Sequence, residues 1–174
     1  IPGSGKTNLA TSLIQTVEGE RHVAYFFCET QRAETLDVCA LLRTWVWQLL
    51  YRTPDKIDEI ADSYERGEQP NRSNLRSCLE ALLSTGNRPL FVLDGVDEMP
   101  FDSREVLYSS IAGLKGLCDM VVLSRELPDI LDGLTEAAAA ASRDFYNLRI
   151  TEEDTSGDIR NFIHREVGRL GPPS

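Results

Sequence analysis

Short apolar runs alternate with longer amphipathic stretches along this chain. Residues 22–28 (HVAYFFC), 89–93, 120–123 and 145–150 are rich in β-branched and aromatic side chains and read as strands, the first three buried on both faces. Between them, apolar residues recur at helical spacing. Residues 8–14 place Leu9, Leu13 and Ile14 on one face, and 35–51 carry Leu36, Leu41, Leu42, Trp45, Val46, Leu49 and Leu50. The Trp45/Trp47 pair needs no aromatic binding box, because helical packing against core and partner accounts for it. A more polar helix is expected over 54–67, broken by Gln69-Pro70-Asn71-Arg72. Residues 73–84 follow, capped by Asn71 or Ser73, with Leu75, Cys78, Leu79, Leu82 and Leu83 inward. Residues 103–117 carry the stripe Val106, Leu107, Ile111 and Leu114, and a last helix begins near Asp154 and stops at Gly171-Pro172-Pro173. The alanine run 137–141 reads as a loop or a helix cap.

Alternating strands and helices with buried strands imply an α/β fold, a parallel sheet covered by helices on its faces. Ligands of such sheets bind at the carboxyl ends of the strands. Two motifs fall there. The chain opens Ile1-Pro2-Gly3-Ser4-Gly5-Lys6-Thr7, which supplies the end of a phosphate-binding loop, G-x-x-x-x-G-K-[ST]. The first glycine of that pattern would fall one residue before Ile1, and the strand that feeds the loop would lie upstream. Pro2 and Ser4 belong to this loop, and Gly3 and Gly5 free the backbone so that N–H groups from Gly3–Asn8 surround phosphate oxygens, with the helix amino end behind them. Lys6 would reach the β- and γ-phosphates and Thr7 would ligate Mg²⁺.

The second motif is Arg88-Pro89-Leu90-Phe91-Val92-Leu93-Asp94-Gly95-Val96-Asp97-Glu98-Met99. An apolar strand ending in Asp94 is the Walker B arrangement, which places a carboxylate beside a phosphate-bound Mg²⁺. Asp97 and Glu98 follow as candidate catalytic acids for orienting the attacking water. The strand 120–123 ends in Ser124-Arg125, a polar residue and a cation at a strand tip, positioned to meet the γ-phosphate.

GSGKT, VAYFFCE, the long Leu/Trp helix, LFVLDGVDEM, VVLSRELPDI and NLRITEEDTSGDIRNFI, in that order, resemble the NACHT NTPase domain over the whole chain, residues 1–174. The likeness is to fungal NLR-like proteins of the STAND class, which act in heterokaryon incompatibility and innate immunity. It implies a three-layer P-loop NTPase fold of the additional-strand type, here without its N-terminal P-loop strand. Strand 120–123 would then lie between that strand and the Asp94 strand, and the assignment fails if strand 120–123 is found on a sheet edge. By position, Lys6 and Thr7 would bind phosphate and Mg²⁺, Asp94 would hold Mg²⁺ through water, Asp97 and Glu98 would be the acids, and Ser124 and Arg125 the sensor. The family usually has Thr-Ser-Arg-Pro there; Leu123 and Glu126 flank the pair here, and an acid beside the arginine could pair with it. The implied activity is a slow, Mg²⁺-dependent ATP or GTP hydrolysis that resets a switch. The partners are a homo-oligomer on activation and flanking effector and repeat domains in the full protein, in the cytoplasm.

Composition trims the alternatives. The chain has 174 residues, 41% hydrophobic and 26% charged, enough for one ordinary domain core. A net charge of −10 argues against a nucleic-acid surface, and no apolar run reaches the ~18 residues of a membrane span. Cys28, Cys39, Cys78 and Cys118 contain no C-x-x-C pair, and His22 and His164 lie far from them, so reduced thiols are expected rather than a zinc site. A P-loop kinase would want a basic lid, yet 128–142 is acidic and alanine-rich. A Ras-like GTPase would want N-K-x-D, which is absent from the sequence. A non-hydrolysing nucleotide-binding scaffold is the remaining alternative.

Overall fold

The computed structural model describes residues 5–57, 71–84 and 88–151. The expected loop residues Pro2, Gly3 and Ser4, most of the helix expected over 54–67, and the last helix lie outside them.

Three five-residue strands form the sheet: β1 (Val23–Phe27), β2 (Leu90–Asp94) and β3 (Asp119–Leu123). All pair in parallel, in the order β1-β2-β3, with Phe27 opposite Asp94 and Asp94 opposite Leu123. β2 is buried at every position, as a near-continuous apolar run requires. Side chains alternate between the two faces. Val23, Leu90, Val92 and Leu123 pack on α1 (Lys6–Val17) through Ala10 and Ile14. Ala24, Phe26, Phe91 and Leu93 face the opposite way, into a larger core built from four helices. These are α2 (Val38–Arg52), α3 (Arg72–Leu83), α4 (Phe101–Gly113) and α5 (Pro128–Ala140). The arrangement is α/β in three layers. Trp45 of α2 is fully buried and stacks on Phe91, ring centroids 4.4 Å apart.

Several boundaries differ from the expected ones, each for a local reason. The helix expected from residue 35 starts at Val38, because Asp37 caps it by accepting from the N–H groups of Cys39 and Ala40; a 3₁₀ turn, Ala33–Leu36, precedes it. Asn71, one of the two proposed caps, accepts from the N–H of Asn74 and starts α3 at Arg72. α4 stops at Gly113, since Lys115 and Gly116 take positive φ and turn the chain before Leu117. The stretch 137–141 is no loop: Pro128 sets the first turn of α5 and the alanines, the best helix formers, carry it to Ala140. Leu9 is exposed, and Ala10 takes the sheet-facing place expected of it. Trp47 is exposed as well, stacked on Tyr51.

The fourth strand expected over 145–150 does not form. Residues 145–150 take no regular secondary structure, and Tyr146 and Leu148 are largely exposed. Residues Lys6–Phe145 make one packed unit, and 146–151 fall outside it. β3 was expected between two strands. Among the described residues it is an edge strand, with β2 on one side and no strand on the other. Its direct pairing with the Asp94 strand is the part of that expectation the sheet displays; the other neighbour is the strand expected ahead of Ile1, which this sheet does not test.

The β1 edge of the sheet is covered by a side chain. On β1, Gln48 of α2 places its side-chain amide against Tyr25, accepting from the backbone N–H at 2.7 Å and donating to the carbonyl at 3.2 Å. One side chain thus stands in for a neighbouring strand. None of the four cysteines forms a disulfide, and Cys28, Cys78 and Cys118 are buried.

Candidate functional site

The carboxyl end of β2 and the amino end of α1 meet. Asp94 closes β2 with its side chain inside, and Thr7 sits in the first turn of α1. Thr7 Oγ1–H donates to Asp94 Oδ2 at 2.6 Å, joining residues 87 apart in sequence. Lys6 begins the same helix, and Asn8 lies exposed in its first turn. Gly5, just before it, has φ +72°, a conformation that glycine adopts at no steric cost.

The turn after Asp94 depends on Gly95. Its φ is +81°, and a Cβ there would stand 2.6 Å from the Cys28 carbonyl oxygen. The Asp-Gly pair is therefore a backbone requirement: Gly95 N–H donates to the Leu123 carbonyl and Cys28 N–H to the Asp94 carbonyl, stitching three strand ends together. A 3₁₀ turn, Val96–Glu98, then aims the two acids in different directions. Asp97, its side chain 6% exposed, accepts from the Arg125 backbone N–H at 2.9 Å and lies 3.2 Å from Arg125 Nε. Glu98 Oε2 accepts from both the N–H of Thr30, at 2.6 Å, and its hydroxyl, at 2.9 Å. Ser124 Oγ–H donates to the Arg125 carbonyl.

Lys6, Thr7, Asp94, Asp97, Glu98, Ser124 and Arg125 thus all stand at strand ends or helix starts of one unit. The structure directly joins Thr7 with Asp94 and Asp97 with Arg125. Thr30 and Cys28, which sequence reasoning passed over, belong to the same surroundings. Thr30 lies just past the end of β1, where an α/β sheet collects polar groups, and that position was the available signal. Burial first, then Asp94, Glu98 and Asp97, pushes the Cys28 thiol up to about 12. Burial is the first cause of that shift, and the three carboxylates at this end of the sheet add to it.

A hard divalent cation suits this donor set. Thr7 and Asp94 offer two oxygens already at contact distance, and Mg²⁺ takes oxygen ligands with several waters retained. A cavity of about 840 Å³ lies elsewhere, among the amino ends of α2, α3 and α4, and none of the seven residues lines it.

The family model described as "Nephrocystin 3, N-terminal" matches residues 1–125 of the chain. The chain belongs to that family. All seven described site residues fall in the span that the nephrocystin 3 N-terminal model matches. A curated relative, the vegetative incompatibility protein HET-E-1 of Podospora anserina, is 24% identical over 184 residues, which take in 98% of this chain. The chain corresponds to 13% of that protein's length. No described helix is long and apolar enough to cross a membrane.

Proposed function

We propose that this chain is the nucleotide-binding module of a NACHT-type switch, a Mg²⁺-dependent NTPase that works on ATP or GTP in an NLR-like signalling protein. The observation that carries the reading is the Thr7–Asp94 contact, which unites the helix after the GSGKT loop with the end of an apolar strand. Those are the two elements a Mg²⁺·nucleotide needs from a P-loop fold. The incompatibility function in the name of the fungal relative agrees with a signalling role.

In this reading the backbone from Pro2 to Asn8 holds the phosphates, and Lys6 neutralises them. Thr7 and Asp94 hold the cation, which when bound offsets charge on the β- and γ-phosphates. Ser124 and Arg125 meet the γ-phosphate, and an acid after Gly95, Asp97 or Glu98, positions the attacking water. Triphosphate and diphosphate would stabilise different conformations, so that exchange favours a homo-oligomer and hydrolysis reverses it. The reading also places a strand on the open edge of β3, ahead of the phosphate loop, and places the protein in the cytoplasm with effector and repeat domains beside this module.

Asp94→Asn in the full-length protein tests it. Asparagine keeps the side chain's shape and loses the charge that attracts Mg²⁺. Affinity for triphosphate is expected to fall at least about tenfold in Mg²⁺, from loss of a charge-assisted contact, and to change little in EDTA. Equal loss in both conditions would remove Asp94 from the cation site.

A further inference from the structure

We infer that Asp97 is a positioning residue for Arg125, entering the reaction through that arginine rather than through water; the inference rests on the nucleotide-switch reading above. Asp97 is almost wholly buried, and both its oxygens are taken by one residue. Oδ1 receives the backbone N–H of Arg125 at 2.9 Å, and Oδ2 lies 3.2 Å from Nε. The carboxylate therefore fixes both where β3 leaves the sheet and how the guanidinium leaves the backbone. Arg125 itself is half-exposed, and holding it by Nε leaves the terminal nitrogens of its fork to meet phosphate oxygens.

A general base needs an oxygen within reach of a water. One oxygen of Asp97 already has a hydrogen-bond donor and the other an ion-pair partner, and unpairing a buried carboxylate is costly. Glu98 differs: both its Thr30 contacts fall on the single oxygen Oε2. The two acids, adjacent in sequence, thus divide the work. Asp97 orients the γ-phosphate sensor, and Glu98 is left as the acid for water.

The test is a double-mutant cycle in the full-length protein with Asp97→Asn, Arg125→Ala and the pair. Each is measured for affinity toward the Mg²⁺ complexes of a non-hydrolysable triphosphate and of the diphosphate, for hydrolysis, and for melting temperature. Each single change is expected to reduce the preference for triphosphate about tenfold, the worth of one charge-assisted contact, with diphosphate affinity kept. The double variant should match Arg125→Ala alone, because the two residues act as one device. Wild-type preference with lost hydrolysis in Asp97→Asn would make Asp97 an acid acting on water and overturn the inference. Additive losses in the double variant, or equal weakening of both nucleotides together with a lower melting temperature, would overturn it as well. Should Asp97→Asn not fold, Arg125→Lys changes only the exposed partner, keeping the charge and losing the Nε donor. It is expected to show the same loss of preference, and a wild-type preference there overturns the inference. Wild-type protein that binds neither nucleotide would instead overturn the functional reading itself.

Discussion

At the scale of single residues, the site is written in a few short side chains whose roles come from the backbone around them. Asp94 was legible because an apolar run ends in it, and the structure puts it at the strand end with Thr7 against it. What the sequence could not convey is why Gly95 follows. Its left-handed φ and the nearby Cys28 carbonyl exclude any side chain. Gly95→Ala is therefore expected to cost about 2 kcal/mol or more, strain and clash together, read as a lower denaturation midpoint. A wild-type midpoint would show that the turn relaxes freely. Cys28 gives a pH signature. Its thiol ionises near 9.0 in an unfolded chain and at about 12 here, so above pH 9 the unfolded chain sheds its proton first. Its contribution to stability is present in full below pH 9 and is lost as pH rises toward 12. Stability should fall over that window, and Cys28→Ala should flatten the fall when denaturation is followed at several pH values. An unchanged slope in the variant would assign the alkaline loss to other groups.

At the scale of elements, periodicity named most of them and missed where backbone chemistry outweighs side-chain spacing. Trp45, Leu41 and Leu49 mark α2 plainly, yet its start is set by Asp37, a residue outside the apolar stripe. The alanine run has no amphipathic signal and reads as a loop or a helix cap; helix propensity and Pro128 make it the end of α5, with Ala141 as its cap. The strand expected over 145–150 has the composition of a strand, but composition supplies no neighbour to pair with. Gln48 shows the converse, a polar residue on a buried helix face that covers the β1 edge. Gln48→Ala would leave Tyr25 N–H and C=O to water, costing about 1 kcal/mol and exposing an edge open to pairing between chains. The expected result is a slightly lower melting temperature with concentration-dependent aggregation on heating. Aggregation equal to wild type would mean that this edge is guarded by something else.

At the scale of the whole molecule, the parallel order β1-β2-β3 with helices on both faces brings the ends of three strands and the start of α1 together. The paired placement of Asp94 and Ser124-Arg125 on adjoining strands was foreseen from the family resemblance, not from periodicity, which carries no strand order. Direct contact of β2 with both β1 and β3 leaves no room for a further strand beside the Asp94 strand, and in the proposed reading the phosphate-loop strand takes the outer edge of β3. The charge of −10 and the crowding of Asp94, Asp97 and Glu98 at one end ask for cations there, from Lys6, Arg125 and a metal ion. The central claim is that this end of the sheet holds Mg²⁺ and a nucleoside triphosphate. The most direct measurement is binding of labelled ATP and GTP to the full-length protein in Mg²⁺, with Lys6→Ala as control. The account predicts saturable binding of one or both, abolished in Lys6→Ala. Binding that survives Lys6→Ala at unchanged affinity, or folded wild-type protein that binds neither, would contradict it.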